Sequence, residues 1–256
     1  MPEMFNRKTF FDAVRGSLFH GSMTQRQIDG MEAILSAWEE NPRSDNLRWV
    51  AYPLATTAHE TGFAMWPIEE HKGSSQSYGK VDPETQQAYF GRGFVQLTHR
   101  DNYARADEEL GYGNTKEDKD SLEWHAENAL ELEVASEVMY QGMDEGWFRK
   151  DDKGVHNLTR YFNDTVDDSY NARNIINGDR TTVPSWSNGV SIGNLIKQYH
   201  ISFLAALEAS VEAFKPALPE GYKLITATLQ VTLDENNKVV HVDVVEIEEE
   251  TGEGGE

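Results

Sequence analysis

Apolar residues recur at helical spacing through most of the first 214 positions and at strand spacing beyond position 216. The stretches "TFFDAVRGSLF" (9–19) and "TQRQIDGMEAILSAWEE" (24–40) each carry an apolar stripe, and Thr24 with Gln27 forms a capping-box pattern at the start of the second. The spacing predicts an antiparallel helix pair. "SDNLRWVAYPLATTAHETG" (44–62) predicts a longer helix that starts near Ser44 or Asp45, bends at Pro53 and stops at Gly62, with Glu60 in its last turn. Continuous apolar stripes predict two more helices over 121–148 and 191–214. The connecting loops are rich in Gly, Ser and Asn, notably 72–87.

After Pro216 the texture changes. "YKLITATLQVTLDENNKVVHVDVVEIEEE" alternates β-branched and polar residues around the turn "DENNK", which predicts a β-hairpin. The expected organisation is a body over 1–215, a hairpin extension over 216–247 and a disordered acidic tail over 248–256.

Charge narrows the partners. The 256 residues hold 44 acidic against 23 basic side chains, a net −21, and the segment 216–256 alone contributes −8 of it, from ten acidic and two basic residues. A chain so acidic is repelled by phosphate backbones and anionic lipid, so neither nucleic acid nor membrane is an expected partner. The absence of cysteine excludes disulfides, thiol catalysis and Cys-ligated zinc. The opening "MPEMFNRKTFFDAVRG" lacks the apolar run of a signal peptide, so the expectation is a soluble product made in the cytoplasm, whose export needs outside help.

The stretch "TTAHETGFAMWPIEEHKG" (56–73) holds the chemistry. A zinc protease needs a second His four residues after the first, but Phe63 stands there, and Gly62 and Pro67 break the helix that would keep His71 in register with His59. No metal or cofactor is therefore expected. A pair of carboxylates has better physics. Glu60 stands at the negative end of a helix dipole among Ala58, Phe63, Met65 and Trp66, a setting that disfavours ionisation and suits a general acid. Glu69 and Glu70 are alternatives for the ionised partner. The competing reading makes Glu60 a solvated helix end and the two adjacent glutamates a surface charge run.

"YFGRGFVQLTHRDNY" (89–103) tips the balance. Two glycines around Arg92 permit close backbone approach, and "FVQLT" predicts a short strand with Gln96 and Thr98 on one face, as in a groove floor. Together with "AHETG" (58–62) and "NARNIINGD" (171–179), in this order and at these separations, the segment resembles the chitinases and phage endolysins of glycoside hydrolase family 19, within the lysozyme-like superfamily. "DAVRGSLFHGSMTQRQIDGMEAILSAW" (12–38) and "MDEGWF" (143–148) are similar to the phage and prophage members, and the resemblance covers 10–214.

The resemblance implies a mainly α, lysozyme-like, two-lobed helical body with a small β-sheet, and cleavage of a β-1,4 bond beside an N-acetylated amino sugar. It implies Glu60 as general acid and Thr98 as the hydroxyl that holds the attacking water, with Gln96, Asn102 and Asn177 lining the groove. Tyr89 and Arg92 are implied as groove or structural residues. Glu70 matches the second carboxylate through a "PI-x-E" pattern, whereas strand periodicity turns Glu69 away from Ile68 and keeps it as the alternative. The lack of disulfides favours the bacterial and phage branch. The expected substrate is peptidoglycan, reached from the host cytoplasm by an endolysin of muramidase type. The alternatives are a chitinase, or a virion or tail-associated structural protein whose acidic C-terminal segment contacts a phage structural partner.

Overall fold

A computed structural model describes residues 4–70, 79–213, 224–233 and 239–250. The chain divides into two compact units, Met1–Phe214 and Lys215–Glu256.

The first unit is mainly helical. Asn6 caps α1 (Arg7–Ser17) by accepting from the Thr9 amide at 3.0 Å. The predicted capping box is present at the start of α2 (Gln25–Glu40), where Gln27 N donates to Thr24 Oγ1 at 3.2 Å and Thr24 N to Gln27 Oε1 at 2.8 Å. The third helix, α3 (Arg48–Glu60), starts later than expected because Asn46 Oδ1 takes the Arg48 amide at 3.1 Å. Pro53 lies inside it, and residues 49–58 are all buried. A helix apolar all round belongs at the centre of a fold. It packs against α7 (Ile192–Glu212), which also receives α1, while α2 packs on α5 (Leu132–Glu145).

Two hydrophobic cores form around these helices. The larger gathers Phe10, Ile34, Trp38, Tyr52, Tyr140 and Phe203 with their neighbours. The smaller holds Tyr89, Leu97, Tyr103, Leu122, Val138 and Trp147, and α4 (Arg100–Leu110) contributes to it. Helix α5 is the wall between them. Its Ala135, Met139, Tyr140 and Met143 enter the larger core and its Val138 the smaller, while Phe148 just beyond packs on both.

Two expectations are corrected here. The helix expected over 121–148 is interrupted, with a short 3-10 turn at Ala126–Leu130 before α5. Ahead of that turn the buried carboxylate of Asp107 on α4 accepts from Ser121 Oγ, Leu122 N and Glu123 N at 2.8, 2.5 and 2.9 Å and ties the segment to α4. The segment "FVQLT" is no strand. Only β1 (Ile68–Glu69) and β2 (Arg92–Gly93) pair there, because Gly93 and Gln96, at φ +85° and +58°, fold the chain back so that Arg92 and Leu97 exchange backbone hydrogen bonds of 3.1 and 2.8 Å. Further two-residue strand pairs are β3 (Lys150–Asp151) with β4 (Gly154–Val155), and β5 (Phe162–Asn163) with β6 (Val166–Asp167), the latter two flanking a turn just after the short helix α6 (Leu158–Tyr161).

In the second unit β7 (Leu224–Leu233) pairs antiparallel with β8 (Val239–Glu250), as the alternation predicts. Glu248, Glu249 and Glu250, expected in the acidic tail, pair instead with Thr226, Ile225 and Leu224. Backbone ladders form irrespective of side-chain charge when the partner strand is long enough. The turn "DENNK", His71 and residues 72–78 of the 72–87 loop lie outside the described residues.

Candidate active site

The end of α3 is set by a chain reversal. Gly62, Phe63 and Met65 all take positive φ, and Thr61 fastens the turn by donating to Thr57 O at 2.7 Å and accepting from Met65 N at 3.1 Å. Helix α2 receives this turn. Gln27 Nε2 donates to Phe63 O at 2.9 Å, and at Gly30 an added Cβ would lie 1.6 Å from the Met65 carbonyl oxygen, so only glycine admits the approach. Glu60, one residue before the reversal, is thereby fixed with 16% of its side chain exposed.

Its surroundings differ from the apolar setting expected. Glu60 Oε1 accepts from Nη1 of Arg173, a guanidinium buried to 3% exposure. Arg173 is held on its other edge by Asp179, with Nε–Oδ1 and Nη2–Oδ2 distances of 2.7 and 3.1 Å. Burial alone would push the Asp179 carboxyl up, but the Arg173 hydrogen bonds and charge outweigh it and hold it below the usual carboxylate range. Burial lowers the Arg173 guanidinium and its two carboxylate partners more than restore it. Asn177 Nδ2 donates to Asp179 Oδ2 at 3.2 Å, which joins the exposed "ING" corner to the network. His59 has its affinity for protons lowered, by burial first and by the Arg173 charge, against an opposing pull from Glu60. Its ring lies 6.4 Å from that of Trp186.

A second group is built on the β1–β2 pair. Glu69 stands opposite Arg92 in the ladder, its Oε2 3.4 Å from Arg92 Nε. The Arg92 guanidinium is buried, donates to Ala88 O at 2.8 Å and Tyr103 Oη at 3.1 Å, and lies 3.9 Å from the centre of the Phe90 ring. Glu69 therefore balances a buried charge. Glu70 instead meets Gly91, donating from its own amide to Gly91 O at 2.8 Å and accepting from Gly91 N at 3.2 Å on Oε2. Gly91 is also where Gln96 crosses, since an added Cβ would stand 2.7 Å from Gln96 Oε1. Gln96 Nε2 donates to Ile68 O at 3.2 Å, Thr98 Oγ1 to Gln96 O at 2.8 Å, and Asn102 Nδ2 to Thr98 O at 2.7 Å. Gln96, Thr98 and Asn102 thus form one hydrogen-bonded run, with Glu70 on the far side of Gly91, and all four are partly exposed.

Tyr89 packs beside the second group, its ring 5.2 Å from that of Tyr103; it is 4% exposed, and its hydroxyl is 2.6 Å from Thr85 Oγ1 and donates to Glu123 O at 2.7 Å, which fits the structural role expected for it. Arg173 and Asp179 were not singled out by sequence reasoning, although both lie within "NARNIINGD". The pairing of Arg173 with Glu60 spans 113 positions, so nothing local in the motif announces it.

No protein-family model and no curated protein matches the chain. Solved structures do. Chitinase C from Streptomyces griseus HUT6037 aligns at 18% identity over 82% of this chain and 95% of its own, with a TM-score of 0.50. A bacterial family 19 chitinase aligns at 20% identity over 80% and 95% with a TM-score of 0.41, and a family 19 class IV chitinase from Zea mays at 15% over 78% and 94% with a TM-score of 0.45. The body therefore has a mainly helical fold shared with a solved glycosidase structure. That fold is the one seen in chitinase C.

Proposed function

We propose that this chain is a glycoside hydrolase that cleaves β-1,4 bonds beside N-acetylated amino sugars, with bacterial peptidoglycan as its substrate, in the manner of a phage endolysin. The observation that carries the reading is Glu60, a partly exposed carboxylate fixed at a reversed helix end by a buried arginine, on the fold of a family whose solved members act on chitin. Arg173 engages Oε1, which leaves Oε2 to carry the proton that the leaving glycosidic oxygen takes. Glu70 is the base, and Thr98, whose hydroxyl keeps its lone pairs for accepting while donating to Gln96 O, positions the water between them. In an inverting reaction acid and base work on opposite faces of the sugar, with the water accommodated at the base. Gln96, Asn102 and Asn177 are the polar contacts for hydroxyl and acetamido groups. The same geometry serves chitin, and the likeness to chitinase C supports that as a second reading.

Purified protein incubated with bacterial sacculi and, separately, with chitin decides between them by which one yields new reducing ends. Glu60→Gln is expected to lower that rate by roughly 10²–10⁴-fold with the fold retained, since only the proton donor is removed. A folded Glu60→Gln protein with wild-type rates defeats the mechanism. A wild-type protein inactive on both polymers, yet present in purified virions, points instead to a structural component.

A further inference from the structure

The segment between Asp179 and α7 carries an exposed tryptophan that no packing requirement explains. Trp186 is 64% exposed, while the segment around it is tied down. Thr182 N donates to Asp179 O at 2.8 Å, Ile192 N to Thr182 O at 2.9 Å and Gly193 N to Arg180 O at 2.9 Å, closing its base. At its tip the buried Ser187 donates to Pro184 O from both its amide, at 3.1 Å, and its hydroxyl, at 2.8 Å. An indole left in water forfeits the free energy of burial and recovers it when an apolar ligand face covers the ring. The neighbour of the ring is informative. Trp186 lies 6.4 Å from His59 with the ring planes inclined at 38°, and His59 immediately precedes Glu60 in α3.

Resting on the hydrolase reading above, we propose that Trp186 and His59 form an aromatic platform for a sugar ring of the bound chain, adjacent to the bond that Glu60 protonates. The axial C–H face of an N-acetylated β-linked glucosamine unit is apolar and matches the flat face of an indole, while its acetamido and hydroxyl groups point sideways toward donors and acceptors. Arg173 and Asp179 supply the rigidity on the inner side, and Asn177 the polar edge. A large aromatic on a tied-down segment, which loses its water only when the ligand arrives, is the kind of contact that dominates recognition.

The test uses the full-length Glu60→Gln protein, which binds without turnover, titrated calorimetrically with tetra-N-acetylchitotetraose and with a peptidoglycan glycan fragment. Adding Trp186→Ala is expected to weaken binding by about tenfold or more, and Trp186→Phe to restore most of it. In the active protein Trp186→Ala should raise KM far more than it lowers kcat. Equal binding by the Glu60→Gln protein with and without Trp186→Ala overturns the platform and leaves the hydrolase reading intact. If the Glu60→Gln protein binds neither saccharide and the wild type cleaves neither polymer, the hydrolase reading fails and the platform fails with it.

Discussion

The two adjacent glutamates after Ile68 have separate physical duties, and this makes them separable by experiment. Glu69 faces a guanidinium that is 7% exposed, so its loss leaves a buried charge poorly compensated. Glu69→Gln is expected to lower stability by about 1–3 kcal/mol and leave turnover nearly intact, while Glu70→Gln leaves the melting temperature in place and removes about 10²–10⁴-fold of the rate. Measuring melting and turnover on both variants decides the assignment, and an inactive Glu69→Gln beside an active Glu70→Gln reverses it. A second residue sets the response to acid. His200 on α7 is buried, stacked at 5.3 Å on Phe162 and 6.1 Å from Tyr52, with no hydrogen-bond partner for either ring nitrogen. Burial, with the Arg48 charge, outweighs Asp167 at 3.7 Å and pushes its pKa from 6.5 down to about 4. Between those values the unfolded chain binds a proton that the folded protein refuses, so stability falls as pH drops through 6.5 toward 4, by up to roughly 3 kcal/mol. His200→Phe should flatten that part of the profile, as followed by denaturant melts between pH 4 and pH 7; an unchanged slope sinks the assignment.

Among the elements, α2 decides where α3 ends. Glycine within a helix ordinarily costs about 1 kcal/mol relative to alanine, so Gly30→Ala would stabilise an isolated α2. Here the added Cβ would sit 1.6 Å from a backbone oxygen of the reversal that follows Glu60, and backbone cannot step aside like a flexible side chain. The clash wins. Gly30→Ala is expected to cost about 1–3 kcal/mol or more and to depress turnover by moving Glu60, and a protein as stable and active as wild type counts against this account. The elements also mark what a sequence can disclose. Helices α1, α2, α5 and α7 were legible because a continuous apolar stripe faces the core, and the Thr24–Gln27 box because both partners are local. The hairpin β7–β8 was legible from alternation. Helix α4 was not, since its mean composition is strongly polar and only Tyr103, Ala106 and Asp107 are buried. The turn at Gln96 depends on a positive φ at a residue that is not glycine, which local propensity does not encode. The candidate site divides the same way. Glu60, Glu70, Gln96 and Thr98 stood out through their motifs, whereas Arg173 owes its role to long-range pairing.

At the scale of the whole molecule, a net charge of −21 gives no steering toward anionic cell-wall polymers. The distribution is less uniform than the total. Arg149 lies against Gly178, where an added Cβ would meet its Nη1 at 2.1 Å, and Arg180 donates to Asn174, so two cations stand on the 171–180 corner where the third, Arg173, is matched by Glu60 and Asp179. The motifs of the candidate site all lie within the first compact unit, so truncation after Lys215 is expected to leave a folded, active body. Calorimetry of that truncated protein should show one transition, with calorimetric and van't Hoff enthalpies equal, and two resolved transitions would contradict it. The reason is the helix that serves as a wall to both cores. Because α5 presents Met139 and Tyr140 to one and Val138 to the other, neither core can melt while its neighbour persists without stripping a face from the same helix. Two cores that share a wall in this way are locked into a single thermodynamic fate.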